Sequence, residues 1–548
     1  MLDWNTKKTV LLLGGVLACA GLFAAEVQAQ AKRFDAARVA DLLPSPGILR
    51  NSISNLHAQG DSLWVGPFLN VTVDGGATWQ VADADSLAGL RNRVYSLDVE
   101  GEVIWVGLGI SAERDIDGQT QDVDIARGFI FSEDGGHTWQ YRTFLAPSDN
   151  DPATTGILDL PEDTLTTYGG VNLSTLAITV PETSPPWDID YDPLTGTLWA
   201  ANQVAGIRKS TDRGSTWQRV VLPPDTTAFL SPDLGYDFPF FVQPRGIPLD
   251  QFAGLNFQAF AVLADASGAV WAGAVGGLNR STDQGVSWRH FTTRDGLPGN
   301  WVISIEEQRL PGRQPTVWAT CWPALEQGER FGVVVSRDGG ETFEASLLGE
   351  RVFDFAFRGR TVYAAGDNGL FISDDDGQTW RTVRDFHDPL QPDRTFRPGA
   401  RVFAVATTNE ALWVGTEDGL FRSTDGGLTW RVFRAEVPLD PDGLPPVVPP
   451  DLVPRVEAYA YPNPFSPASD RFVRIRYKLE QDEQVKIRVF DFGMNLVRNL
   501  TDEAQPGGER EVSWDGTDNS GARVANGPYF YAVEAGSDTF WGKILVLE

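Results

Sequence analysis

The stretch LWVGTEDGLFRSTDGGLTW, Leu412 to Trp430, decides the fold. Its last eight residues, STDGGLTW from Ser423, recur six more times with small variations. They read TVDGGATW from Thr72, SEDGGHTW from Ser132, STDRGSTW from Ser210, STDQGVSW from Ser281, SRDGGETF from Ser336 and SDDDGQTW from Ser373. The residue types describe a turn between two strands. An aspartate side chain accepts hydrogen bonds from backbone N–H groups two residues on. The glycine takes a backbone conformation closed to most residues. The Thr or Ser starts the outgoing strand, and the aromatic ring that follows enters a core.

The first four residues of the stretch also recur: LWVG at Leu63, IWVG at Ile104, LWAA at Leu198, VWAG at Val270, VWAT at Val317 and VYAAG at Val362. Upstream of these lies a further strand, as in VYSLDVEG at Val94, WDIDYD at Trp187, VISIEE at Val302 and VFDFAF at Val352. Each unit therefore holds four strands, and seven such units predict an all-β, seven-bladed β-propeller. Twelve of the eighteen tryptophans fall in the two repeat columns, which marks them as packing between blades. Asp74, Asp134, Asp212, Asp283, Asp338, Asp375 and Asp425 occupy the same turn in every unit. One per blade argues for a structural role rather than catalysis or calcium binding. The segment LTTYGGVNLSTLAITV, within 141–186, leaves open an extra hairpin or an irregular eighth blade.

The 548-residue chain carries a net charge of −29, which repels phosphate backbones and argues against nucleic acid as a partner. Cys19 and Cys321 are the two cysteines, and the four histidines are never spaced as metal ligands. No disulfide framework, metal centre or cofactor is expected. Lys7 and Lys8 precede an uncharged run, Thr9 to Ala25, and then Ala29-Gln30-Ala31. Residues 1–31 thus read as a cleaved signal peptide, which implies a secreted or cell-surface protein with no transmembrane segment in the mature chain.

The propeller is expected over 32–434. Residues 435–455 hold seven prolines and read as a linker able to extend to roughly 60 Å. Over 456–548, RFVRIRYKL, QVKIRVFD, REVSW, PYFYAVEA and TFWGKILVLE alternate apolar and polar positions, as in an immunoglobulin-like β-sandwich.

The octapeptide resembles the Asp-box, or BNR, repeat of sialidases, xyloglucanases, sortilin-like receptors and photosystem assembly propellers. That resemblance spans about residues 50–434 and implies a fold, not an activity. TRDGLPGNWVISIEE also resembles the periplasmic sensor propellers of hybrid two-component regulators. The motifs YPNPF (Tyr461–Phe465), VKIRVFDFGMNLVRNL (Val485–Leu500), VSWDGTDNSG (Val512–Gly521) and GPYFYAV (Gly527–Val533) resemble the FlgD-like immunoglobulin domain and the C-terminal sorting domain of type IX secretion. This resemblance implies passage through, or attachment to, the outer membrane, with the secretion machinery there as a partner.

In a propeller, links between strands one and two, and three and four, lie on one face. Here these are uniformly short. The long insertions, 108–128, 141–186, 219–259 and 319–331, all fall on the other face, which is the expected recognition face. Aromatics and arginine there make Trp187, Tyr236, Arg245, Trp301, Trp322 and Arg330 the candidate ligand-binding residues, for a glycan or a protein. The acidic run Asp115, Asp117, Asp122 and Asp124 resembles a calcium loop in charge but not in spacing. No catalytic residues are assigned. A glycosidase needs two carboxylates facing across a cleft, and acidic residues are too numerous here to select a pair. Arg245-Gly246-Ile247-Pro248 breaks the sialidase Arg-Ile-Pro motif by an insertion. The leading expectation is a non-catalytic binding protein. The alternatives are a polysaccharide-acting glycoside hydrolase and a periplasmic sensor propeller.

Overall fold

The computed structural model describes residues 38–547 except 40–41, 46, 67, 83–92, 117–118, 143–164, 175–183, 204, 235–253, 390–398, 436–456 and 468–471. The signal peptide expected at 1–31 and nearly all of the linker lie outside the described residues.

Seven antiparallel sheets follow one another along the chain, each with its strands in sequence order from the inside out. Blade 5 is typical, with Trp301–Gln308 innermost, then Thr316–Trp322, Gly332–Ser336 and Glu344–Ser346. Blades 1, 2 and 4 add a fifth strand at the outer edge, from Leu42–Ser45, Arg38–Val39 and Phe229–Leu230 respectively. The insertion 108–128 is not a loop. It lengthens the second and third strands of blade 2 to Val103–Ile116 and Gln119–Ser132. Leu165–Tyr168 and Val171–Ser174 form a hairpin of their own, as in the extra-hairpin alternative, and the described residues form no eighth blade.

All seven octapeptide turns share one hydrogen-bond pattern. In the turn at Asp425, the Ser423 hydroxyl donates to Asp425 Oδ1 at 2.7 Å and accepts from Gly427 N at 2.8 Å. Thr429 donates from its N–H to Oδ1 at 2.9 Å and from its hydroxyl to Oδ2 at 2.6 Å. These bonds favour the ionised carboxylate and hold all seven aspartates below the usual carboxylate range, Asp375 and Asp425 down to about 2.

The fourth and fifth turn positions both have positive φ. Gly, Arg213, Gln284 and Asp376 share the fourth, but the fifth is always Gly. The difference is contact with the preceding blade. A Cβ on Gly377 would lie 2.4 Å from Trp318 Cη2, and one on Gly136 2.6 Å from Trp64 Cη2. The ring of the second-strand motif therefore abuts the turn of the next blade. Blade 7 meets blade 1 in the same way, with Trp413 and Phe433 against Gly76.

Among the described residues no blade combines strands from both ends of the propeller. Closure comes instead from Asn51, which exchanges hydrogen bonds with the backbone of Ala435, and from Ile53, whose N–H bonds Thr416 O at 2.9 Å.

The C-terminal domain packs a three-stranded sheet (Ala458–Tyr461, Val473–Leu479, Gly508–Trp514) on a four-stranded one (Glu483–Phe490, Leu496–Gln505, Gly527–Ala535, Asp538–Val546). Trp514, Tyr477 and Tyr531 fill the core between them. The domain touches the propeller. Arg474 bonds Asp418 Oδ2 at 3.2 Å, and Arg434 of blade 7 bonds the same oxygen at 2.8 Å. Both guanidinium groups are almost fully buried, at 4% and 2% exposure.

Two predictions follow from this geometry. Gly377→Ala should destabilise the propeller by about 2 kcal/mol through overpacking against Trp318, whereas Gly426→Asn, at the neighbouring tolerant position, should change denaturant stability by under about 0.5 kcal/mol. Asp418→Asn removes the charge that two buried guanidinium groups share, leaving Arg474 its longer pair with Glu511 at 3.5 Å. It should cost about 3 kcal/mol and split the calorimetric unfolding of propeller and sandwich into separate transitions.

Candidate functional site

The innermost strands of blades 2 to 7 are each bulged near their start, on the insertion-bearing face. Strand pairing skips between Val94 and Ser96, Pro186 and Asp188, Ala259 and Ala261, Val302 and Ile305, Val352 and Asp354, and Val402 and Ala404. A bulge re-aims the side chain of the extra residue. That residue is Tyr95, Trp187, Phe260, Phe353 or Phe403, and blade 5 places Trp301 beside its bulge instead. The glycine of the W-x-G motif makes room for these strands. A Cβ on Gly107 would lie 2.6 Å from Pro186 Cγ of the next blade, and one on Gly273 2.7 Å from Val302 Cγ1.

The bulged rings meet in one arc. Centroid separations are 5.3 Å for Tyr95–Trp187, 5.7 Å for Trp187–Phe260, 5.3 Å for Phe260–Trp301 and 5.7 Å for Trp301–Trp322. Trp322–Phe353 and Phe353–Phe403 continue it, each at 5.7 Å. Most of the rings are half-buried. The arc breaks at blade 1, where Ser54 and Asn55 stand in the corresponding place. Arg351 stacks on Trp322 with Cζ 4.0 Å from the ring centroid, and Trp322 Nε1 donates to Val352 O at 3.0 Å.

Three of the six candidate ligand residues, Trp187, Trp301 and Trp322, are thus brought together. Arg330 is exposed on the connection after Trp322 and its side chain takes no part in the arc. Tyr236 and Arg245 lie outside the described residues. Of the acidic run, Asp124 accepts a hydrogen bond from Tyr95 Oη at 2.8 Å and so braces the arc. Among the described residues, no group of three or more His, Cys, Asp or Glu is placed to hold a metal ion.

Below the arc, the same strands carry Asp98, Asp188, Asp190, Glu306 and Asp354. An innermost strand has a free edge, and its N–H groups need acceptors. Asp98 accepts from Tyr191 N at 2.8 Å, Asp188 from Val262 N at 2.9 Å and Asp354 from Val405 N at 2.9 Å, while Asp190 accepts from Ala264 N. Each bond crosses to the next blade. Burial, followed by mutual repulsion for most of them, pushes these carboxyls up, Asp188 to about 8 and Asp354 to about 7. His57 on blade 1 partly offsets this at Asp98. The missed residues had a signal. In VYSLD, PWDID and VFDF an acid follows the ring one or three residues on.

No curated protein matches the chain. A family model does match residues 468–539, that of the FlgD Ig-like domain. The C-terminal domain is a FlgD Ig-like domain. Its WDGTDNSG motif forms paired side-chain turns, with Asp515 Oδ1 accepting from Thr517 N at 3.0 Å and Asp518 Oδ1 from Ser520 N at 2.8 Å. Among solved structures, the chain is similar to PorZ, a surface component of the type-IX secretion system of Porphyromonas gingivalis. Identity there is 13% and the TM-score 0.38, over 91% of this chain and 66% of that one. A GH74 enzyme of Niastella koreensis gives 11% and 0.42, over 93% and 75%. Ycf48 of Cyanidioschyzon merolae gives 16% and 0.38, over 70% and 97%.

The two sets of aspartates make opposite demands on pH. A carboxyl raised in the folded state binds its proton more tightly there. The acids of the innermost strands therefore weaken the fold as pH climbs from about 4 towards the folded values, about 8 for Asp188 and about 7 for Asp354. The turn aspartates are depressed and stabilise the fold above about 4, an effect lost as pH falls towards about 2 at Asp375 and Asp425. The thermal midpoint should rise as pH is lowered from 8.5 to about 5, then fall below about 4. A midpoint by scanning calorimetry that is flat across the upper range would contradict the raised acids.

Proposed function

We propose that this chain is an exported, non-catalytic binding protein that recognises a glycan or protein ligand on its insertion-bearing face. The observation that carries this reading is the aromatic arc. Half-buried rings set by backbone bulges around one opening form a rigid apolar platform, and aromatic side chains supply much of the energy in recognition sites. Trp187, Trp301 and Trp322 are the anchors in this reading, with Tyr236, Arg245 and Arg330 contributing from the surrounding insertions. The octapeptides are read as Asp-box repeats with a structural role. Residues 1–31 are read as the export signal, 32–434 as the propeller and 435–455 as the linker. The unit 456–548, which contains the FlgD Ig-like domain, serves sorting to the cell surface or release through outer-membrane secretion machinery.

A second reading, a polysaccharide-acting hydrolase, is favoured by one observation. Asp188, pushed up to about 8, holds its proton at neutral pH as a general acid must. A glycan array, a partner pull-down and polysaccharide hydrolysis assays on the mature protein separate the two. Binding without turnover, weakened at least about tenfold by Trp187→Ala or Trp301→Ala, supports the binding protein. Turnover abolished by Asp188→Asn makes it an enzyme. Deleting 456–548 should mislocalise the protein, and unchanged localisation would remove the sorting role.

A further inference from the structure

The two outer faces of the C-terminal sandwich differ. On the three-stranded sheet Arg474 points away from the core, yet it is buried, because this side of the domain meets blade 7 at Asp418. The four-stranded sheet lies on the opposite side. Val485, Ile487, Val489, Tyr531, Val533 and Ile544 face the core, so strand alternation turns Phe490, Phe530, Trp541 and Leu545 outward. Strand register brings these together. Phe490 lies opposite both Leu496 and Phe530, and its ring centroid is 5.5 Å from that of Trp541. Trp541 is 52% exposed and Leu496 45%.

The turn between Phe490 and Leu496 continues this apolar surface. Phe492 is 76% exposed there and Met494 53%. The turn is held in one shape, with Asp491 Oδ1 accepting from Asn495 N at 2.8 Å and Asp491 N donating to Asn495 O at 3.0 Å. Met494 has a φ of 62°, a conformation that glycine or asparagine adopts at lower cost. Stability alone does not account for a methionine at that position. Exposed Phe and Met side chains on a fixed turn, beside exposed Trp and Leu, mark a contact surface.

We infer that this face packs against the same face of a second copy of this chain, forming a two-fold dimer. Its size suits that partner. Four strands of eight to ten residues, about 4.8 Å apart, make a face of about 500 Å², so two copies cover about 1,000 Å², enough for a specific interface. Its charge suits that partner too. Contact between two chains of net charge −29 is opposed by repulsion. On this face Lys486 pairs with Asp502 at 3.5 Å, Arg488 pairs with Glu534, and Lys543 adds a positive charge between Trp541 and Leu545. Two acidic chains can meet here without an excess of negative charge between them. Flat sheet faces stack on one another, and a two-fold axis uses the same patch twice. The propeller is joined to the other side of each sandwich, so the dimer carries one propeller at each end. A partner with repeated sites engages both. The inference does not depend on what the propeller binds.

Sedimentation velocity of the full mature chain between about 1 and about 100 μM should show a monomer–dimer equilibrium. Trp541→Glu and Phe492→Asp, both at exposed side chains, should each weaken dimerisation at least about tenfold. Met494→Gly separates the interface from the fold. It relieves the positive φ, so the thermal midpoint of the dilute, monomeric protein should stay the same or rise while dimerisation weakens. A chain that remains monomeric up to about 100 μM, or a dimer equally strong in Trp541→Glu, overturns the inference. So does flotation of the monomer with anionic lipid vesicles that is lost in Trp541→Glu, a result that assigns the face to a membrane instead.

Discussion

The edge of an indole ring pressed against the α-carbon of a glycine holds this molecule in its ring. Six of the seven second-strand aromatics abut the fifth residue of the next blade's turn, Ile372 taking that place against Gly427, and the turn can accept the contact only because no side chain stands there. The aspartate network exists to keep that turn shaped for the contact. Its carboxylate spans from the serine before it to the threonine after it, so the two strands leave at a fixed angle. Seven copies of one local solution therefore produce a closed architecture.

The centre of the ring obeys a different constraint. Innermost strands expose main-chain donors to the lumen, and acidic side chains from neighbouring blades satisfy them. Those acids do for the inside what the turn aspartates do for the outside, linking one blade to the next. Their setting is poorer, because they crowd one another in a narrow space. The outer set is content as carboxylate and the inner set is not.

Much of the fold was legible because the repeat is local. The turn, its glycine and its tryptophan lie within eight residues, so position in the sequence maps directly onto position in the blade. The two faces followed from the same register, and with them Trp187, Trp301 and Trp322. The rest of the arc was not legible from residue type alone. Tyr95, Phe260, Phe353 and Phe403 look like ordinary core residues until a bulge turns them toward the opening, and a bulge is a property of pairing between strands. The acids of the innermost strands were hidden for a related reason. Asp98 and Glu306 are more than two hundred residues apart in the chain and meet only because the ring closes. The extension of blade 2 stands in the sequence as an insertion rather than as strand because its polar residues, from Glu113 to Asp124, lack the alternation of a buried strand, and a hairpin that prolongs two strands beyond their sheet does not require it.

The way the ring is sealed has a mechanical consequence. Among the described residues blades 7 and 1 share no sheet; Asn51 against Ala435, Ile53 against the strand at Thr416, Asn409 N–H on Gly60 O at 2.8 Å and the apolar packing around Trp413 hold them together. The FlgD Ig-like domain is fastened to blade 7 through Arg474 and Asp418. Any load on a chain tethered by its C-terminal domain enters the propeller at the blade bordering that joint. The joint is thus both the last part of the ring to assemble, since it needs both ends of the propeller, and the first part to feel tension.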